Sequence, residues 1–329
     1  MYQPEAYLVV LAFMLASMIC WGSWANTMKL TPGYPFQLFY WDYIVGIILG
    51  AVVWGLTLGS MGSTGPTFAD NLRGADPAHI LYGLAGGAVF NVANLLLVAA
   101  IDIAGLAVAF PLGIGLALVV GVLLNYLLQP KGNAVLLFGG VALVMLAIVF
   151  DALAYRHREG QRREVSARGI QISVACGILM GVFYPLVVKA KTGSGSLNSY
   201  AVAFVFCLGA GVCAIPVNYL LMKRPLACAA AVLGKDYFAA CSSYHVWGIL
   251  GGTIWCTGLV FNLIGSGANV VGPAISYAIG QGATMISAIW GVFIWREFTG
   301  APDSRKFIPL MFVFFVAGLL SIAAAPLYR

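Results

Sequence analysis

Apolar residues along this chain come in long runs separated by short polar connectors. Ten runs reach the roughly 20 residues that a helix needs to cross a bilayer. They lie at 6–27, 37–60, 79–100, 104–127, 134–154, 169–189, 199–222, 244–264, 269–294 and 307–327. The longer polar stretches are 60–77, 156–168 and 223–242. The pattern predicts an all-α integral membrane protein with ten transmembrane helices.

The two halves of the pattern repeat. GLAGG at 83–87 opens the third run and GILGG at 248–252 opens the eighth. FPLGIG at 110–115 recurs as YAIGQG at 277–282, so the offset between copies changes by only two residues. The expected organisation is a first five-helix repeat at 1–155, a basic connector at 156–168 and a second five-helix repeat at 169–329. Five is odd, so the halves enter the membrane with opposite orientations. Such inverted-topology repeats are frequent in secondary transporters, which place the substrate site at the repeat interface near the midplane. Chance similarity among Gly- and Ala-rich membrane helices is the alternative. Small residues let helix backbones approach, and Gly86/Gly87, Gly113/Gly115, Gly251/Gly252 and Gly280/Gly282 are the expected crossing points.

Composition strengthens the membrane reading. The chain is 61% hydrophobic and 9% charged, against about 45–50% and about 25% for a soluble domain. Mean hydropathy is +0.95. The net charge of +6 is thinly spread, which fits a lipid surface and not a nucleic-acid partner. Of the 17 Lys and Arg, 12 fall on one side of the predicted spans, including Lys29 and the cluster Arg156, Arg158, Arg162, Arg163 and Arg168. The positive-inside rule makes that side cytoplasmic and puts both termini outside, in a cell (inner) membrane. The start, MYQPEAY, lacks the positive region of a cleavable signal, so the first run is expected to stay as a helix.

Several chemistries lack their motifs. The seven cysteines contain no CxxC pair, so they read as small hydrophobes, with no metal site expected. GxxxxGKS/T, HExxH and GxSxG are absent. His79, His157 and His245 lie at or outside span ends. No enzyme and no cofactor are expected, and an ion or proton gradient is the expected energy source.

Polar residues inside apolar runs are the candidate chemistry, because polar and ionisable groups are costly there. Asp42, in FYWDY, reads either as a proton acceptor or substrate anchor, or as an interfacial aspartate favoured by a helix N-terminus. Asp151, beside the basic connector, is expected in an ordinary ion pair. Asp102 is expected in a tight turn as a helix-start residue. Asn91 and Asn94 stand three apart, and Tyr277 and Gln281 four apart, so each pair shares a helical face. Asn262 sits in the eighth run. These groups act either as glue between helices or as substrate ligands. Trp21, Trp24, Trp255 and Tyr184 offer stacking surfaces. A cavity of amides and aromatic rings suits a small neutral polar solute, whether nucleobase, ureide or pyranose. A phosphate ester would want Arg and Lys partners. CWGSWANTMK at 20–29 is then a cavity wall near the cytoplasmic mouth, with Lys29 reaching to the headgroups.

Taken together, several short motifs resemble the ureide permease family of the drug/metabolite transporter superfamily. They are WGSW in the first run, YWDY at 40–43, GG followed by Asn94, LNY at 124–126, Asn262, Gln281, and the WG, RE and SRK elements between Trp290 and Lys306. The resemblance covers nearly the whole chain. It implies proton-coupled uptake of neutral heterocyclic nitrogen compounds such as allantoin and uracil. It also carries Trp24, Tyr40, Asp42, Asn94, Asn262 and Gln281 over as site positions. Plant members have a long central loop with a phosphate-loop-like motif, whereas RHREGQRREVSARG at 156–169 has none. The first-run WGS is also similar to that of the related glucose/ribose porter group. A sugar symporter, or an exporter of the same fold, therefore stays open. The expectation is a secondary transporter of a ureide, nucleobase or nucleoside, as a monomer or homodimer. Trp21 and Trp24 would stack on the solute, with Tyr184 beside them. Asn94, Asn262 and Gln281, with Asn91 and Tyr277, would bond it. Asp42, near Tyr40, would couple the proton.

Overall fold

A computed structural model describes residues 1–158, 166–224 and 231–328. Arg162 and Arg163 of the predicted connector, Cys228 and Arg329 lie outside the described residues. Among the described residues ten helices are long and apolar enough to cross a membrane, and there is no strand. They are α1 (Tyr7–Leu30), α2 (Phe36–Leu56), α3 (Pro77–Ala104), α4 (Leu106–Leu128), α5 (Ala134–Arg158), α6 (Ala167–Ala190), α7 (Ser199–Lys223), α8 (Ser242–Gly267), α9 (Pro273–Ile294) and α10 (Pro302–Leu327). Each matches one predicted run. Two short helices, Phe68–Gly74 and Gly234–Phe238, lie within two of the longer polar connectors.

The helix starts follow from local chemistry. Asp76 precedes Pro77 and accepts from the Ala78 amide at 2.8 Å. Asn198 accepts from the amides of Tyr200 and Ala201, at 3.1 and 2.9 Å. Ser166 accepts from Gly169 at 3.1 Å. Each uses a side-chain oxygen to satisfy amides that the first turn leaves open. Asp102 departs from expectation. It lies in the last turn of α3, and Gly105, at φ 78°, makes the reversal into α4. Gly272, at φ 79°, precedes α9 in the same way. Left-handed backbone of this kind favours glycine.

Most close packing joins the first five helices to the second five. α3 packs on α6 and α7, α2 on α7 and α8, α1 on α8 and α9, and α4 on α6 and α9, while α5 pairs with α10. Exchanging α1–α5 for α6–α10 returns the same set of neighbours.

At two crossings the backbones approach most closely. A Cβ at Gly87 would lie 1.9 Å from the Phe206 carbonyl oxygen, and one at Gly209 2.2 Å from that of Leu84, where α3 meets α7. Where α2 meets α8, a Cβ at Gly46 or Gly252 would lie 2.1 Å from the carbonyl oxygen of Ile249 or Tyr43.

The FPLGIG and YAIGQG copies both mark irregular helix. Phe110–Gly115 is a π-helical stretch inside α4. In α9, regular α-bonding stops at Gln281, resumes at Ala283 and gives way to π-helix at Trp290–Ile294. Such interruptions are frequent at functional sites.

Candidate functional site

A cavity of about 400 Å³ lies between α1, α3, α4, α6, α8 and α9. Its deep end is at mid-span, at Phe183, Trp255 and Gly280. It runs toward the end where α1 and α3 finish and α2 and α4 begin, past Trp24, Met28, Phe36 and Ile101. Among the described residues no charged side chain lines it. Phe110 and Ile114 from the irregular part of α4 face Gly280, Gln281 and Thr284 from the irregular part of α9.

The walls are aromatic. The Trp21 and Trp255 rings stack at 6.0 Å with 26° between planes, and Phe90 lies 4.5 Å from Trp255. Trp21 is held by its own Nε1, which donates to the Trp255 carbonyl at 3.1 Å. It lies against α9 because residue 280 is glycine: a Cβ there would come within 2.6 Å of its ring. Such faces stack on flat solutes at little conformational cost.

Five of the sequence-predicted residues meet here: Trp21, Trp24, Asn94, Trp255 and Gln281. The Asn94 amide donates to the Tyr40 hydroxyl at a long 3.4 Å. The Gln281 side-chain amide makes no hydrogen bond among the described residues, which leaves its donors and acceptor to the cavity. Thr284 and Ser287 use their hydroxyl protons on the carbonyls of Gln281 and Gly22.

The other predicted polar residues sit behind the wall. Tyr184, Asn262 and Tyr277 are fully buried and outside the cavity lining. Tyr184 donates to Asn262 Oδ1 at 2.5 Å, and Asn262 Nδ2 donates to the Ser276 carbonyl at 2.8 Å. Ser276 Oγ returns a bond to the Asn262 carbonyl, also at 2.8 Å. Tyr277 donates to the Met180 carbonyl at 3.0 Å, and Gly121 gives its ring room. Tyr40 donates to Asn91 Oδ1 at 2.8 Å, and both are fully buried. These groups join helices to one another.

Asn262→Leu is therefore expected to destabilise the solute-free protein. It strands the Tyr184 hydroxyl and the Ser276 carbonyl, at about 1–3 kcal/mol for each buried group left unpaired. Thermal unfolding without ligand measures this, and an unchanged midpoint would contradict the assignment.

Asp42 is not on the cavity. It is 2% exposed, in the second turn of α2 facing α8. Its carboxylate meets His245 Nδ1 at 3.0 Å, and accepts from Tyr237 at 2.6 Å and from Tyr34 at 3.4 Å. Tyr237 comes from the short helix Gly234–Phe238, so three segments converge on one carboxylate. Gly248 makes the approach possible, since a Cβ there would lie 2.4 Å from that of Asp42. Desolvation and the nearby Asp42 charge raise both phenols, Tyr237 to about 12 and Tyr34 higher. His245 was not predicted as a site residue. Its signal is weak: it stands three before Gly248 on one face, but its partner is far away in sequence.

Two further expectations change. Lys29 was expected at the headgroups. It pairs instead with Glu297 and lies 4.7 Å from the Trp295 ring. Asp151 was expected in an ion pair. It is 3% exposed and forms none among the described residues, while Lys29 and Arg158 pair with Glu297. Burial pushes the Glu297 carboxyl up, but Lys29, the Tyr155 hydroxyl and Arg158 outweigh it and hold it below the usual carboxylate value. In the 20–29 stretch, Trp21, Trp24, Ala25 and Met28 face the cavity. Ser23 and Asn26 instead accept from the indoles of Trp290 and Trp295, at 2.9 and 2.6 Å.

Ten spanning helices around an uncharged, aromatic-walled cavity define a multi-pass membrane protein of the transporter kind. The ureide permease family model matches residues 39–168. Ureide permease 1 of Arabidopsis thaliana is 25% identical over 99% of both chains. Ureide permease 4 of the same plant is 21% identical over the full length of both. A probable ureide permease A3 of Vigna unguiculata is 29% identical over 42% of this chain and 38% of that one. These matches support a ureide permease family assignment, and permease homologues indicate a transporter and not an enzyme. A protein crystal structure 15% identical to the chain has the same fold, with a TM-score of 0.63 over 95% of this chain and 96% of that one.

Proposed function

We propose that the protein takes up a small neutral ring compound, a ureide, nucleobase or nucleoside, by proton-coupled alternating access. The observation that carries this is the pairing of Asn94 with the unengaged Gln281 amide in an aromatic cavity without charge. A flat solute would stack on Trp21 and Trp24 and exchange hydrogen bonds with the two amides. The absence of a cation from the lining argues against phosphate esters and carboxylates. The irregular stretches of α4 and α9 meet at the cavity, as the broken helices of secondary transporters meet at their sites. Asp42, paired with His245, is the proton-coupling group. The cavity mouth faces the cytoplasm, and both termini lie outside a cell membrane.

A thermal-shift screen of purified protein with uracil, allantoin, hypoxanthine, nucleosides, glucose, ribose and rhamnose tests the solute class. Stabilisation by a nucleobase, nucleoside or ureide is expected. Stabilisation by a sugar alone would recast the indoles as pyranose platforms. Gln281→Ala is expected to weaken binding of the stabilising solute about tenfold, the equivalent of about 1.4 kcal/mol, without lowering the solute-free midpoint. Unchanged affinity would remove Gln281 from the site.

A further inference from the structure

At the end of the bundle away from the cavity mouth, α6 stops at Ala190 and Lys191 follows as its cap. The Lys191 residue is partly buried, and its amine turns inward. Nζ donates to the Leu263 carbonyl at 2.7 Å, to Ser199 Oγ at 3.0 Å and to Ser266 Oγ at 3.1 Å. Ser199 is the first residue of α7, while Leu263 and Ser266 lie at the end of α8. Both serines donate their own protons to the same Leu263 carbonyl, each at 3.0 Å, so toward the amine they act as acceptors. Gln3 closes the same corner by donating to the Ile264 carbonyl at 2.9 Å.

Among the described residues this amine has no counter-ion and enters no ion pair. On its own helix, Lys189 lies 5.6 Å from the Tyr82 ring. On α3, His79 is bonded to the Lys189 and Ser194 carbonyls, and Asp76 caps the helix. On α7, Tyr200 donates to the Tyr2 carbonyl. Glu5, before α1, is exposed. Neither carboxylate reaches Lys191.

We propose that Lys191 is a proton-binding latch on the closed end of the bundle: opening that end adds a proton to its amine, and closing returns it. The proposal rests on the alternating-access reading above. Opening must part the start of α7 from the end of α8, which are the two elements the amine ties together. Water then reaches the amine, its lone pair takes a proton from the water of that side, and closure gives the proton back to the same water. The neutral state is tolerated because either serine can turn its O–H from Leu263 to the amine lone pair.

The direction of the pH effect follows. Burial without an anion lowers Lys191 to about 7 in the closed form, while a hydrated lysine stands at about 10.4. Below the lower value the amine is protonated in both forms, and it contributes no pH dependence. Between the two values opening takes up a proton, so rising pH favours the closed form, by up to about tenfold per unit.

The test is a distance across this end. Spin labels at Ser194→Cys and Val270→Cys, both exposed positions, are placed in an otherwise cysteine-free full chain in nanodiscs. The distance distribution is recorded from about pH 6 to about pH 10. With Lys191 intact, the open population is expected to shrink above about pH 7 and to stay constant below it. K191M, which cannot titrate, and K191R, which stays charged, are expected to be flat. A constant distribution with Lys191 intact, or the same slope in K191M or K191R, overturns the proposal. If a solute from the panel shifts the distance while pH does not, the latch falls and the transporter reading stands. If neither shifts it, both fall.

Discussion

Gly87→Leu is expected to leave little folded protein. The first atom of the new side chain would lie 1.9 Å from the Phe206 carbonyl oxygen and 2.7 Å from the Ala210 nitrogen, inside contact distance of α7's own backbone. No rotamer relieves a clash made by Cβ, so α3 and α7 must separate. Adding a methylene to a packed core costs about 1–3 kcal/mol when side chains absorb it. Here the backbone must move, and the reciprocal contact at Gly209 is lost with it. The cost becomes a large fraction of the roughly 5–15 kcal/mol that holds a typical protein folded. Gly139→Leu is the control, because a Cβ at Gly139 meets nothing within 4 Å. Size-exclusion profiles and unfolding midpoints in detergent compare the two. A monodisperse Gly87→Leu protein with the native midpoint would show that the helices are not this close.

Asp42→Asn is expected to abolish accumulation driven by a pH gradient while leaving solute exchange within about twofold. The amide matches the carboxylate in shape and keeps an acceptor for Tyr237. It carries no charge for His245 to answer and no proton to gain or lose. Neither Asp42 nor His245 is part of the cavity lining, so solute binding and exchange stay. Proteoliposomes with an imposed gradient, and the same vesicles in counterflow, separate the two activities. Intact uphill accumulation in the variant would sink the coupling assignment.

The ten helices were legible because lipid demands long apolar runs, and length alone separates them. Asp102 was misplaced for the same reason. Run length does not say where a short reversal falls, and Gly105, not the acid, carries it. Trp21, Trp24, Asn94 and Gln281 were readable as chemistry out of place in lipid. Asn262, Tyr184 and Tyr277 looked the same in sequence. Whether an amide meets a cavity or a neighbouring carbonyl depends on residues such as Ser276 and Met180, which bear no sign of the pairing. His245 and Lys191 were hidden differently. Each lies at a helix end, where a basic side chain is unremarkable, and each acquires meaning only from a second helix.

The two glycine crossings set what the bundle can do mechanically. Side-chain packing has rotamers to relax, whereas carbonyl against backbone has none. The spacing of α2 from α8, and of α3 from α7, is therefore a fixed gauge, indifferent to lipid thickness or moderate warming. Each pair behaves as one stiff beam. The freedom left to these four helices is rotation and slip of one beam past the other.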